Sequence, residues 1–147
     1  MKAIETKADY QKYVDEKTPN SRIGLNVLKA FIVGGSICLI GQFISDYLNS
    51  RGLDKETVSS VTSIALIFIG IFLTAINVYN RIGKFAGAGS IVPITGFANS
   101  IASPAIEFKS EGYVLGVGAK LFQVAGPVLV YGITTSIVVG FLYYLFK

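Results

Sequence analysis

The chain has 147 residues, one domain's worth of length, with 52% hydrophobic residues and only 15% charged ones. Thirteen basic and nine acidic side chains are too few to cover the large surface of a soluble domain this small. No His and a single Cys exclude imidazole acid–base chemistry, a Ser–His or Cys–His nucleophile, a His-ligated or Cys-cluster metal site and an internal disulfide.

The formal charge of +4 is a balance of both signs, so it reads as topology information rather than as nucleic-acid binding. No cofactor is expected. With few acids near the apolar stretches there is also little from which to build a catalytic group, and the chain is expected not to be an enzyme.

Residues 1–22 form a polar N-terminal segment. Tyr10, Tyr13 and Val14 share an i, i+3, i+4 face, which fits either a short cytoplasmic helix at the membrane surface or a solvated tail. Pro19 interrupts, and Asn20 or Ser21 is placed to cap the next helix. Residues 23–147 read as a single all-α, polytopic membrane domain.

Four uncharged windows mark its hydrophobic segments: residues 30–45, 57–80, 85–106 and 121–146. A helix needs about 20 predominantly apolar residues to cross a bilayer. The second and fourth windows clear that length. The first is extended by Leu25, Val27, Leu28, Tyr47 and Leu48, with Lys29 able to snorkel. Residues 64–76 are apolar on every side apart from Gly70 and Thr74, whereas a soluble bundle helix keeps a polar face.

Between the first two windows, Arg51-Gly52 is a turn signal, Asp54 is a helix cap, and Leu53 with Val58 fits a hydrophobic staple. The two helices should be antiparallel neighbours. Lys2, Lys7, Lys12, Lys17, Arg22 and Lys29 precede the first window, and Arg81 and Lys84 follow the second. The positive-inside rule therefore places the N-terminus and residues 80–84 in the cytoplasm. Tyr47, Tyr79, Tyr113, Tyr143 and Tyr144 lie near window ends, as interfacial aromatics do.

The third window is different in kind. Gly87, Gly89, Pro93, Gly96 and Pro104 punctuate it, and Ser90, Thr95, Asn99, Ser100 and Ser103 make it half polar. Irregular backbone at membrane depth survives only inside protein or against a water-filled cavity. Gly/Pro-interrupted segments of this kind point to solute sites in transporters. A broken or re-entrant, cavity-lining segment is the favoured reading. A Pro-kinked crossing helix and a merely close-packed one remain alternatives. If the window crosses, the C-terminus is cytoplasmic; if it turns back, the C-terminus lies outside. The run is no phosphate loop, since Val92 stands where a third Gly would be needed.

Small residues mark packing faces on the other helices. Gly34, Cys38, Gly41 and Ser45 form one stripe, Ser63, Gly70, Thr74 and Asn77 a second, and Gly132, Ser136 and Gly140 a third. They imply a compact bundle or self-association. Gln42, Asn77, Asn99 and Gln123 read as interhelical hydrogen-bonding groups ahead of solute contacts.

The stretches KAFIVGGSICLIGQ (29–42) and KFAGAGSIVPITGFANS (84–100) resemble the SpoVAC/SpoVAEb family of small membrane proteins in endospore-forming bacteria. SPAIEFKSEGYVLGVGAK (103–120), AGPVLVYG (125–132) and the polar N-terminal extension fit its AC branch. The resemblance implies a channel or transport subunit. Such a subunit moves dipicolinic acid, as its calcium chelate, across the spore inner membrane in sporulation and germination, and responds to membrane tension. It implies two partners as well: a SpoVAEb-like membrane paralogue and a SpoVAD-like soluble dipicolinate-binding protein.

Dipicolinate is a dianion, and basic residues at a pore mouth concentrate anions. Arg81, Lys84, Gly87, Gly89, Ser90, Pro93, Thr95, Gly96, Asn99 and Ser100 are the expected solute path. Glu107 and Glu111 read as solvated acids ahead of calcium contacts. The competing reading is a non-conducting structural subunit that anchors the soluble partner.

Overall fold

The computed structural model describes residues 7–17 and 21–146. Pro19 and Asn20, and with them part of the expected capping of the second helix, lie outside the described residues. Within the described residues the chain is all helical: α1 (Lys7–Lys17), α2 (Ile23–Ser50), α3 (Lys55–Ala75), α4 (Tyr79–Ala86), α5 (Ala88–Ile91), α6 (Ile94–Glu107) and α7 (Ala119–Phe146). A 3₁₀ turn (Phe108–Glu111) and a π turn (Tyr113–Gly118) join α6 to α7.

Three of these segments are long and apolar enough to cross a membrane: Ile23–Ser50, Lys55–Ala75 and Tyr113–Phe146. The sequence reading expected four hydrophobic segments. The third of them, residues 85–106, is not one long helix but is divided among α4, α5 and α6. The long helices are bare on the outside: Phe31, Leu39, Phe43 and Phe68 are each more than two-thirds exposed. Water does not tolerate that much apolar surface on so small a chain, and lipid does.

α2 and α3 form the expected hairpin. Arg51 and Gly52 close α2 through N–H bonds to the Leu48 and Asn49 carbonyls, and Gly52 takes φ +78°, which favours glycine. Asp54 caps α3 by accepting from the Thr57 N–H (3.0 Å) and the Thr57 hydroxyl (2.7 Å). These two bonds favour the ionised carboxylate and hold its pKa below the ordinary value of 3.8.

The far end of α3 closes on a signal the sequence reading assigned to packing. Asn77, placed in a small-residue stripe, instead stands outside the helix at φ +58°. The Asn77 N–H bonds the Thr74 carbonyl and the Val78 N–H bonds the Leu73 carbonyl, the pattern of a Schellman cap. At the start of α2 the expected cap is also displaced. Arg22 holds the cap position without a side-chain bond, and the Ser21 hydroxyl accepts instead from the Asn26 amide (3.2 Å).

Candidate functional site

The buried residues concentrate in the broken segment. Tyr79, Ala86, Ser90, Thr95, Ala98 and Ala102 are all buried, and Ser90 is fully so. Glycines let this segment lie directly on the backbones of the two spans. A methyl group at Gly89 would overlap the Ala30 backbone of α2, and one at Gly34 would sit 3.2 Å from the Gly89 carbonyl oxygen. On the other side, a methyl at Gly70 of α3 would sit 2.9 Å from the Thr95 carbonyl oxygen and 3.3 Å from Ala98 Cβ. Gly41 plays the same part between the spans, facing Leu66 at 3.2 Å. The segment is thus a wedge between α2 and α3.

Polar bonds fix the wedge. The Thr74 hydroxyl is hydrogen-bonded to the Gly70 carbonyl (2.6 Å) and to the Asn99 side chain (2.9 Å), tying α3 to α6. Gly70 meets Thr95, and four residues on Thr74 meets Asn99, so α3 and α6 run in the same sense across this contact.

The break itself has a specific partner. Pro93 sits at the α6 cap position with extended backbone (ψ 161°). Ile94, whose N–H would reach the Ser90 carbonyl in a continuous helix, belongs to the next helix. The Tyr79 hydroxyl donates to that carbonyl (2.7 Å) and shares a second bond with the Thr95 hydroxyl (2.9 Å). One side chain thereby replaces the backbone donor lost at the break and links α4, α5 and α6. Sequence reading saw Tyr79 only as an interfacial aromatic, and nothing in its local sequence foretells this role.

The expected solute-path residues divide into two groups. Arg81, Lys84 and Gly87 are exposed, with Gly87 at φ +53° forming the elbow between α4 and α5. Ser90, Thr95 and Gly96 are buried, while Gly89, Pro93, Asn99 and Ser100 are half-buried. The polar members of this second group already have protein partners: Ser90 Oγ donates to the Gly87 carbonyl (3.0 Å) and Ser100 Oγ to the Phe97 carbonyl (2.8 Å). In this arrangement the broken segment is packed, with its polar side chains bonded within the protein.

Beside it, a cavity of about 420 Å³ opens between the start of α2 and the α4–α5 elbow, with Lys84 in its wall. Of the remaining packing residues, Gly132 and Gly140 have open space around them, and α7 is exposed from Pro127 onward. The third stripe, which includes Ser136, therefore has no neighbour among the described residues.

Residues 26–142 match the family model described as SpoVAC/SpoVAEB sporulation membrane protein. Stage V sporulation protein AC of Bacillus subtilis (strain 168) is 44% identical over 142 residues, covering 96% of this chain and 95% of that protein. No solved structure matches the chain. With three apolar helices of membrane-crossing length and a family match spanning the whole wedge, this chain is an integral membrane protein that belongs to the SpoVAC/SpoVAEB sporulation family.

Proposed function

We propose that this protein is a transport subunit that moves dipicolinate, with calcium, across the spore inner membrane, and that residues 79–107 are its gate. The observation that carries the proposal is the wedge. A Gly/Pro-broken, polar segment held between two spans by a few hydrogen bonds and backbone contacts is the kind of element whose displacement would open a path between them.

The shared sense of α3 and α6 supports a re-entrant course. α4 follows α3 and carries Arg81 and Lys84, α5 dips inward, and α6 returns toward the same end. In this reading Arg22, Lys29, Arg81 and Lys84 face the cytoplasm together and concentrate the dianion. α7 then crosses alone, and the C-terminus lies outside.

Membrane tension acts on such a gate through lipid-exposed helices that must separate for the wedge to move. The bare stripe Gly132, Ser136 and Gly140 is where a SpoVAEb-like paralogue or a second copy packs. A SpoVAD-like dipicolinate-binding protein delivers or receives solute at the cytoplasmic face. The protein is no enzyme in this account.

Release of calcium dipicolinate from liposomes, with and without osmotic downshift, tests the proposal. Release above that of empty liposomes, growing with tension and excluding a larger anion, is expected. No release from inserted protein, alone or with the paralogue, overturns it. The exposed Tyr10 and Tyr13 on α1 favour the second reading, a non-conducting anchor for the soluble partner. In that case deleting residues 1–17 abolishes function while Lys84→Ala, Pro93→Ala and Asn99→Ala spores load and release dipicolinate normally.

A further inference from the structure

Lys84 stands in the wall of the 420 Å³ cavity with Ser21 and Asn26 as its polar neighbours and Ile23, Val27 and Phe85 as its apolar ones. Lys84 is exposed and makes no hydrogen bond or ion pair among the described residues. Lys29 lies near the same wall, its ammonium 5.0 Å from the centre of the Phe85 ring. No Asp or Glu occurs between Lys17 and Asp46 or between Glu56 and Glu107, so the stretches that line the cavity, residues 21–30 and 84–88, bring positive charge and no negative charge.

We propose that this cavity binds the phosphodiester headgroup of an anionic phospholipid, with Lys84 as its counter-charge and Asn26 and Ser21 as hydrogen-bonding partners. Two features favour a lipid over a free anion. The cavity sits at the end of a membrane-length helix, the level at which headgroups lie. Its apolar side also continues along α2 through Ile23, Val27 and Phe31, which recur every four residues and are 73%, 62% and 77% exposed. That strip accommodates an acyl chain, for which a small soluble dianion has no use. Basic pockets between membrane helices are a recurrent way of holding acidic lipids. Because α4 and α5 form one wall, an occupied cavity braces the wedge against α2.

The test uses the full-length protein in mixed micelles. Retained phosphatidylglycerol is counted against phosphatidylcholine by native mass spectrometry. Preferential retention of one phosphatidylglycerol is expected. Lys84→Ala lowers it about fivefold, the effect of one basic contact, and Arg51→Ala, at the other end of the hairpin, leaves it unchanged. Val27→Trp fills the cavity with its charges intact and also removes the lipid. Equal retention of the two lipids, equal loss in Lys84→Ala and Arg51→Ala, or displacement of the lipid by stoichiometric dipicolinate overturns the proposal. The readout involves no transport, so it stands or falls apart from the channel reading.

Discussion

At the scale of single residues, two kinds of contact hold the wedge, and they predict different losses. Tyr79→Phe removes the only side-chain donor that the Ser90 carbonyl has among the described residues. A buried acceptor left without a donor costs about 1–3 kcal/mol. That loss should appear as a lower midpoint in detergent-titration unfolding. Tyr47→Phe, which removes an exposed bond to Arg51, should leave the midpoint in place; equal effects would disprove the special role of Tyr79.

Gly89→Ala tests the second kind of contact. Its methyl would meet the Ala30 backbone, which cannot rotate away as a side chain does, so a loss of about 1–3 kcal/mol is expected. Gly132→Ala, with nothing within 4 Å, should be silent for the isolated chain. The sequence marks Gly132 as a packing residue and Gly89 as part of the solute path, and only the neighbours show that Gly89 packs and Gly132 has none among the described residues.

At the scale of elements, the α2–α3 hairpin was legible because its signals are local. Arg51-Gly52 and Asp54 act within one turn of themselves, and the structure places them as read. The depressed Asp54 pKa gives a signed prediction. The ionised cap is stabilising above the ordinary carboxylate value of 3.8, and its contribution is lost as pH falls through the lower folded value. Unfolding midpoints at pH 6 and pH 3 should therefore differ more for the native chain than for Asp54→Asn, whose amide oxygen accepts at both. Identical pH dependence in the two proteins would show that other groups dominate.

The Asn77 cap was legible in principle, since Asn after an apolar run is a known helix stop. It was read into a stripe because the window's lack of charge extends past the helix end. Pro93 holds the cap of α6, but no local rule says which group then takes the carbonyl left free there.

At the scale of the whole molecule, the course of the broken segment decides the topology. In a Cys38→Ser background, Asn80→Cys and Lys109→Cys should react with an impermeant thiol reagent from one side of the membrane and Tyr144→Cys from the other. Reaction of Asn80→Cys and Tyr144→Cys from one side and of Lys109→Cys from the other would mean that the segment crosses. Lys/Arg counting could not decide this, because moving residues 107–120 across the membrane changes the balance by very little.

The sequence by itself determined the class of this protein. Apolar windows of membrane length, sparse charge and the missing His are properties of composition, and they act wherever the residues end up. Family membership was legible in the long stretches around residues 29–42 and 84–100 for the same reason, because it resides in the order of residues. The tertiary structure alone decided which small residues pack, which polar ones are already satisfied and how residues 79–107 divide into helices. Those outcomes depend on pairs such as Gly70 with Thr95, Thr74 with Asn99 and Tyr79 with Ser90. The first two pairs form only when the wedge is seated against α3, and the third only when the wedge folds on itself, so no local stretch of sequence contains them.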